Sequence, residues 1–204
     1  MEMELEEVLF VLLEEYADWE AASLAAALNE KPDEGEQKYC VKTVSLNKEP
    51  VTSIGGFRTI PDYSLEEVGD DFAGLVLIGG NSWRKEESKA VMTVVQKALD
   101  GEKVLAAICD GTVFLGMNGI LNRDKHTSNF LPELKETAGA HYTGEALYLE
   151  QQAVRDGNLI TANGSAFLEF GKEVMTALES APQKEIDEWY DFFKSGYYEF
   201  MKNK

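Results

Sequence analysis

The sequence predicts an α/β fold organised around a mostly parallel sheet. Strand-like and helix-like segments alternate along most of the chain. The segments at 8–13, 74–81 and 104–108 carry continuous apolar runs, as strands covered on both faces require. One of them, Val104-Leu105-Ala106-Ala107-Ile108, passes directly into Cys109-Asp110-Gly111 and a helical stretch, the form of a nucleophile elbow.

The elements follow in order. The run at 8–13 is the first strand, and Asp18 is placed as the cap of an Ala- and Leu-rich helix over 19–28. A second strand spans 39–46. Residues 51–60 form a hairpin or bend around Gly55-Gly56. Ser64-Leu65-Glu66-Glu67 matches a capping box and predicts a short helix. The 74–81 strand runs into a glycine turn. A helix over 87–100 places Val91, Val94, Val95 and Ala98 on one face, and Gly101 ends it. After the 104–108 strand comes a helix over 112–121. Alternation over 148–162 with Asp156-Gly157 predicts a hairpin, and 167–178 is the last helix of a body spanning 1–180. Ser180-Ala181-Pro182-Gln183 opens a final helix within 181–204. That tail, with Ile186, Trp189, Tyr190, Phe192, Phe193, Tyr197, Tyr198 and Phe200, is too aromatic for a solvated linker. It packs on the body or forms a subunit contact.

Composition narrows the function classes. Hydrophobic residues make up 44% of the 204, enough for a real core. Nineteen basic residues against 37 acidic ones give a net charge of −18, which repels nucleic acid and anionic membrane surfaces. No apolar run approaches the roughly 20 residues of a membrane span. The acidic start, Met1 to Glu7, lacks the form of a secretory signal and points to the cytoplasm. Two histidines, neither near a cysteine in sequence, suggest no metal site, and Walker and dinucleotide glycine motifs are absent. No cofactor is expected; the partner class is a small-molecule substrate.

The chemistry points to Cys109. A tight strand-to-helix turn lifts its side chain beyond the sheet edge, where parallel sheets bind ligands. The helix N-terminus beside the sulfur favours thiolate. Gly111 leaves room for the turn and for a substrate. Cys40, inside a plain strand, reads as a small buried hydrophobe. Gly79-Gly80-Asn81 forms a second turn at the same sheet edge. The N–H groups of Gly80 and Asp110 are candidate oxyanion donors.

These residues resemble the ThiJ/PfpI superfamily, which shares the class I glutamine amidotransferase-like fold. The resemblance covers roughly residues 7 to 178 and rests on segments in the family's order. They are Leu77-Ile78-Gly79-Gly80-Asn81, Ala106-Ala107-Ile108-Cys109-Asp110-Gly111, His141-Tyr142-Thr143, the stretch from Val154 to Ala162, and Phe167-Leu168-Glu169-Phe170. It implies a three-layer, flavodoxin-like sandwich and a homodimer. It also implies a carboxylate partner for the cysteine, and Glu20 aligns with that position. Alone, Glu20 would read as a first-turn acid complementing the helix dipole. The chain departs from the family in two places. Asp110 stands where a protease-like branch carries histidine, and an ionised Asp110 opposes thiolate. Asn129 stands where other branches carry a later histidine. His126 lies three residues earlier and cannot substitute for it, and nothing places His141 at the thiol. A Cys–His protease is therefore not indicated.

The resemblance implies amidase, hydrolase, glyoxalase-like or deglycase-like chemistry on small carbonyl or amide substrates, with Cys109 and Glu20 catalytic. Two alternatives stand beside it. One is a cysteine-based oxidative-stress sensor or chaperone-like protein. The other is a catalytically silent binding member, which Asp110 and Asn129 favour.

Overall fold

The computed structural model describes residues 5–33 and 35–202. The acidic start at 1–4, Glu34 and the last two residues lie outside them. The chain forms β1 (Glu6–Val11), α1 (Asp18–Asn29), β2 (Tyr39–Ser45), β3 (Val51–Thr52), β4 (Arg58–Thr59), β5 (Tyr63–Ser64) and β6 (Gly74–Leu77). A 3-10 turn (Glu86–Val91) leads into α2 (Met92–Asp100). There follow β7 (Val104–Ile108), α3 (Asp110–Met117), α4 (Leu131–Ala138), β8 (Ala153–Asp156), β9 (Leu159–Ala162), α5 (Phe167–Leu178), α6 (Gln183–Ser195) and α7 (Tyr197–Lys202).

The main sheet has the order β5-β2-β1-β6-β7-β9-β8. Every pairing in it is parallel except β8 with β9. The chain steps outward from β1 to β2, then returns to place β6 on β1's other side. This reversal is the switch point at which flavodoxin-like sheets open a crevice.

Period-two alternation sorts the strand side chains onto two faces. Leu9, Val11, Leu75, Leu77, Leu105 and Ala107 join Val94, Val95, Phe114 and Leu134 of α2, α3 and α4. Val8, Phe10, Val76, Ile78, Ala106 and Ile108 join Leu24, Phe170 and Val174 of α1 and α5. The three-layer sandwich expected from sequence is the observed fold. Among the described residues, no helix is long and apolar enough to cross a membrane.

Several local expectations are corrected. Asp18 does not cap α1: the cap position is Ala17, without a side-chain bond. Asp18 Oδ2 instead accepts from Gly55 N–H at 3.1 Å, fastening the tip of the β3–β4 hairpin to the start of α1. Ser64 ends β5 and residues 65–67 form a turn, not a helix. The Glu67 carboxylate accepts from both Ser64 N–H and Oγ–H, so the serine oxygen donates rather than caps. The helix expected over 87–100 is 3-10 in its first part. The one over 112–121 starts at Asp110 and stops at Met117. Ser180 caps nothing, since Pro182 holds the cap position of α6 without a side-chain bond. The single tail helix is two helices, broken at Gly196 with φ +80°. Sequence reading missed α4, where Pro132 reads as a breaker but sits in the first turn, which needs no donor from it. In the tail, Ile186 is buried and the Trp189 ring lies over Gly171 of α5.

Gly111 holds α3 against the sheet. A Cβ there would stand 2.8 Å from the Leu77 carbonyl oxygen. Gly111→Ala should therefore cost about 1–3 kcal/mol through overpacking. Urea unfolding should show a lower midpoint; an unchanged midpoint would contradict the close approach.

Candidate active site

The C-terminal ends of the central strands gather the candidate residues at one edge. Cys109 follows β7, Gly79 and Gly80 follow β6, Gly164 follows β9, and Glu20 lies in the first turn of the helix after β1. Parallel pairing of these strands brings four sequence-distant loops together.

Cys109 has φ +56° and ψ −129°, a backbone conformation that non-glycine residues rarely adopt. It is held there from both sides. Its N–H donates to Ala162 O at 3.0 Å, and its carbonyl accepts from Thr112 N–H and Thr112 Oγ1 at 3.0 and 2.6 Å. The Asp110 N–H, the other candidate oxyanion donor, favours the ionised form of the sulfur. Asn129 Nδ2 donates to Sγ at 3.3 Å, while Asn129 Oδ1 accepts from Gly164 N–H at 2.8 Å.

Glu20 lies beneath the thiol and is fully buried. Its Oε2 accepts from Gly79 N–H at 2.9 Å. Its Oε1 is buried with no hydrogen-bond partner among the described residues, and it and the Cys109 sulfur close on the same point beside Gly164. Burial raises the Glu20 carboxyl to about 7, although the Gly79 N–H and the thiol favour its ionised form. Burial, then the Glu20 charge, pushes the Cys109 thiol up to about 11, against the donors from Asn129 and Asp110. Two adjacent anions are disfavoured in this pocket, so the pair holds one proton between these two values.

Two glycines make room for the pair. A Cβ at Gly79 would stand 2.5 Å from Cys109 Cβ and even closer to Glu20 Oε2. One at Gly164 would stand 2.9 Å from both Cys109 Sγ and Glu20 Oε1. Gly164 was missed from sequence. Asn163-Gly164 after the last parallel strand was the available signal, and only the fold shows what it faces.

The remaining sequence candidates divide. Gly80, Asn81, Asp110 and Asn129 line an open cleft of about 450 Å³ beside Cys109, with Ala17, Trp19, Ile54 and Arg84. Gly80 N–H has no acceptor among the described residues. Its glycine identity follows from φ +150° and a backbone packed against Glu15 and Tyr16. Gly111 does not line the cleft; the space it leaves is filled by the β6 backbone. Asp110 is held by Arg84, another residue the sequence reading missed. Nε and Nη2 of Arg84 donate to the two carboxylate oxygens at 2.8 Å each. Among the described residues neither histidine bonds the thiol. Buried His126 places Nδ1 on Asp124 O at 2.8 Å and Nε2 on Tyr142 Oη at 2.7 Å. His141 is exposed in a 3-10 turn (Gly139–His141). Cys40 sits half-buried on β2, away from the cleft.

The DJ-1/PfpI family profile matches residues 6–177. The chain belongs to this family. It is 38% identical over 196 residues to the uncharacterized protease YdeA of Bacillus subtilis, covering 96% of this chain and 95% of that one. A thiJ/pfpI family protein from Bacillus anthracis superposes with a TM-score of 0.88 at 34% identity, over 99% of this chain and 96% of the other. A DJ-1 superfamily protein from Agrobacterium tumefaciens does so with 0.82 at 33% identity, over 94% and 99%.

The raised Glu20 pKa makes stability depend on pH in a definite direction. The folded state binds a proton that the unfolded chain has released above about 4.5, so this group's contribution falls as pH rises from 4.5 through 7. By pH 8 ionising Glu20 costs the folded state about 3 kcal/mol. Glu20→Gln should abolish that loss. Denaturant unfolding at pH 5 and pH 8 should show a smaller fall for the variant than for wild type. Equal falls would place the Glu20 pKa near its ordinary value.

Proposed function

We propose that the chain is a cysteine-based enzyme acting on small reactive carbonyl compounds, with glyoxalase-like chemistry. The observation that carries this reading is the buried, unpartnered Glu20 Oε1 beside the sulfur of an elbow cysteine that opens into a cleft. A carboxyl with a pKa near 7 suits a proton shuttle at neutral pH.

With a 2-oxoaldehyde such as methylglyoxal, Cys109 Sγ bonds to the aldehyde carbon and the carbonyl π pair moves to oxygen. Gly80 N–H holds that oxygen. Glu20 takes the thiol proton and passes it on, giving a hemithioacetal. Glu20 then moves the proton on the former aldehyde carbon to the adjacent carbon through an enediol, leaving a thioester of a 2-hydroxy acid. Water cleaves the thioester, releasing lactate and the thiol. One carbon is oxidised and its neighbour reduced, so no external oxidant enters.

The alternatives have less support. A peptide-hydrolysing Cys–His pair lacks its imidazole, since both ring nitrogens of His126 are bonded elsewhere. Burial raises the Cys109 thiol and so lowers the resting thiolate that a redox sensor and a nucleophile both need; an acceptor beside the sulfur, Glu20, can take the proton as a nucleophile attacks. Asp110, which counted toward a silent member, has its charge matched by Arg84. The homodimer implied by resemblance belongs to this proposal, with exposed Phe193, Tyr197 and Tyr198 of the tail as its surface.

The test is turnover of methylglyoxal to lactate, followed by NMR. Cys109→Ala should abolish turnover, Glu20→Gln should lower it roughly 10²–10⁴-fold, and Cys40→Ala should leave it unchanged. Equal rates for wild type and Cys109→Ala would eliminate the reading.

A further inference from the structure

The elbow of this chain carries an acid immediately after the cysteine. The Asp110 charge opposes ionisation of Cys109. At the N-terminus of α3 a carboxylate is welcome to the helix dipole but unhelpful to the neighbouring sulfur. The structure supplies a counterweight from a third segment. Arg84 meets Asp110 in a two-pronged fork, and the same Nη2 donates to Glu133 Oε1 at 2.7 Å in the first turn of α4. One guanidinium thus joins the loop after β6, the elbow helix and α4.

The anchor of that guanidinium is fixed. The preceding residue, Trp83, is 1% exposed. Its ring N–H donates to Ile78 O at 2.7 Å, and its ring packs against Phe114 with centroids 4.9 Å apart. Phe114 belongs to α3, so the backbone at Arg84 and the helix it grips are packed as one unit. Arginine suits this place because its planar fork matches a carboxylate with both prongs. The Asp110 side chain is only 16% exposed, so the pair is screened less than a free surface pair.

We infer that Arg84 is a positioning residue for Cys109: it holds the Asp110 carboxylate in a neutralising fork beside the thiol and ties the elbow to α4 through Glu133. The inference rests on the reading of Cys109 as the nucleophile. It concerns how that nucleophile is kept usable next to an acid. Arg84 already carries two carboxylates, which argues against a role in capturing an anionic substrate. The charged groups acting on the thiol are Glu20 from α1 and Asp110 from α3; Arg84 of the β6 loop lines the same cleft and acts through Asp110, with Glu133 of α4 acting through Arg84.

The test reads the thiol directly, so it is independent of turnover. In a Cys40→Ala background, Cys109 alkylation by neutral iodoacetamide is followed by mass spectrometry across pH. Arg84→Met should slow alkylation roughly tenfold at pH 7.5 and move its pH midpoint upward, because the Asp110 charge is left uncompensated. Arg84→Met with Asp110→Asn should restore the wild-type rate and midpoint. Arg84→Gln gives the same comparison should Arg84→Met fail to fold. An unchanged rate in the single variant would overturn the inference, as would a double variant as slow as the single one. Slowing confined to anionic iodoacetate, with iodoacetamide unaffected, would instead assign Arg84 to anion capture and also overturn it. Absence of methylglyoxal turnover together with the expected alkylation pattern would count against the carbonyl-enzyme reading alone.

Discussion

The contact on which the site depends is the one between the Glu20 carboxyl and the Cys109 thiol. Glu20 is fully buried, and an ionised carboxylate is expensive in such a place unless donors surround it. It has one backbone donor, Gly79 N–H, and one oxygen left without a partner beside the sulfur. That shortage raises the carboxyl to about 7 and makes the proton a shared possession of the pair. A fully hydrogen-bonded Glu20 would be an ordinary ionised acid. A half-satisfied one is a proton carrier.

The surrounding structure keeps the two groups together. The positive φ of Cys109 costs of order 1–3 kcal/mol. It is maintained by bonds from its own N–H to β9 and from Thr112 to its carbonyl. Gly79 and Gly164 close on the pair from the ends of β6 and β9, the two strands that flank β7. Asn129 spans the thiol and Gly164 N–H with the two ends of one amide. Its place near the sulfur is set by Ser128, whose hydroxyl bonds Thr112 Oγ1 at 2.6 Å. An amide there can donate a hydrogen bond but cannot accept the thiol proton at neutral pH, which leaves Glu20 as the acid–base group.

Much of the fold was legible because its signals are local. The run at 8–13 and the whole of β7 are apolar, and α5 was placed at its observed bounds. The caps were less legible. Asp18, Ser64 and Ser180 match capping patterns, but a cap competes with whatever tertiary partner the side chain or backbone meets. Asp18 meets Gly55 and Ser64 meets Glu67. At the site, Cys109 could be read from the strand-to-turn pattern, while Glu20 required a family resemblance. Arg84 could not be read at all, and Gly164 only as a glycine after the last parallel strand. Their importance lies in which loop they face across the sheet edge, and no spacing within one segment encodes that.

The account turns on whether Glu20 and Cys109 titrate as a pair. The direct measurement is the pH dependence of Cys109 alkylation by iodoacetamide in wild type and in Glu20→Gln. Wild type should show reactivity rising through about 7, as Glu20 ionises and becomes a proton acceptor for the attacking thiol, and rising again toward 11 as the thiol itself ionises. The variant should lack the step near 7. Superimposable profiles, or a single wild-type step at the ordinary thiol value, would contradict the shared proton and the chemistry built on it.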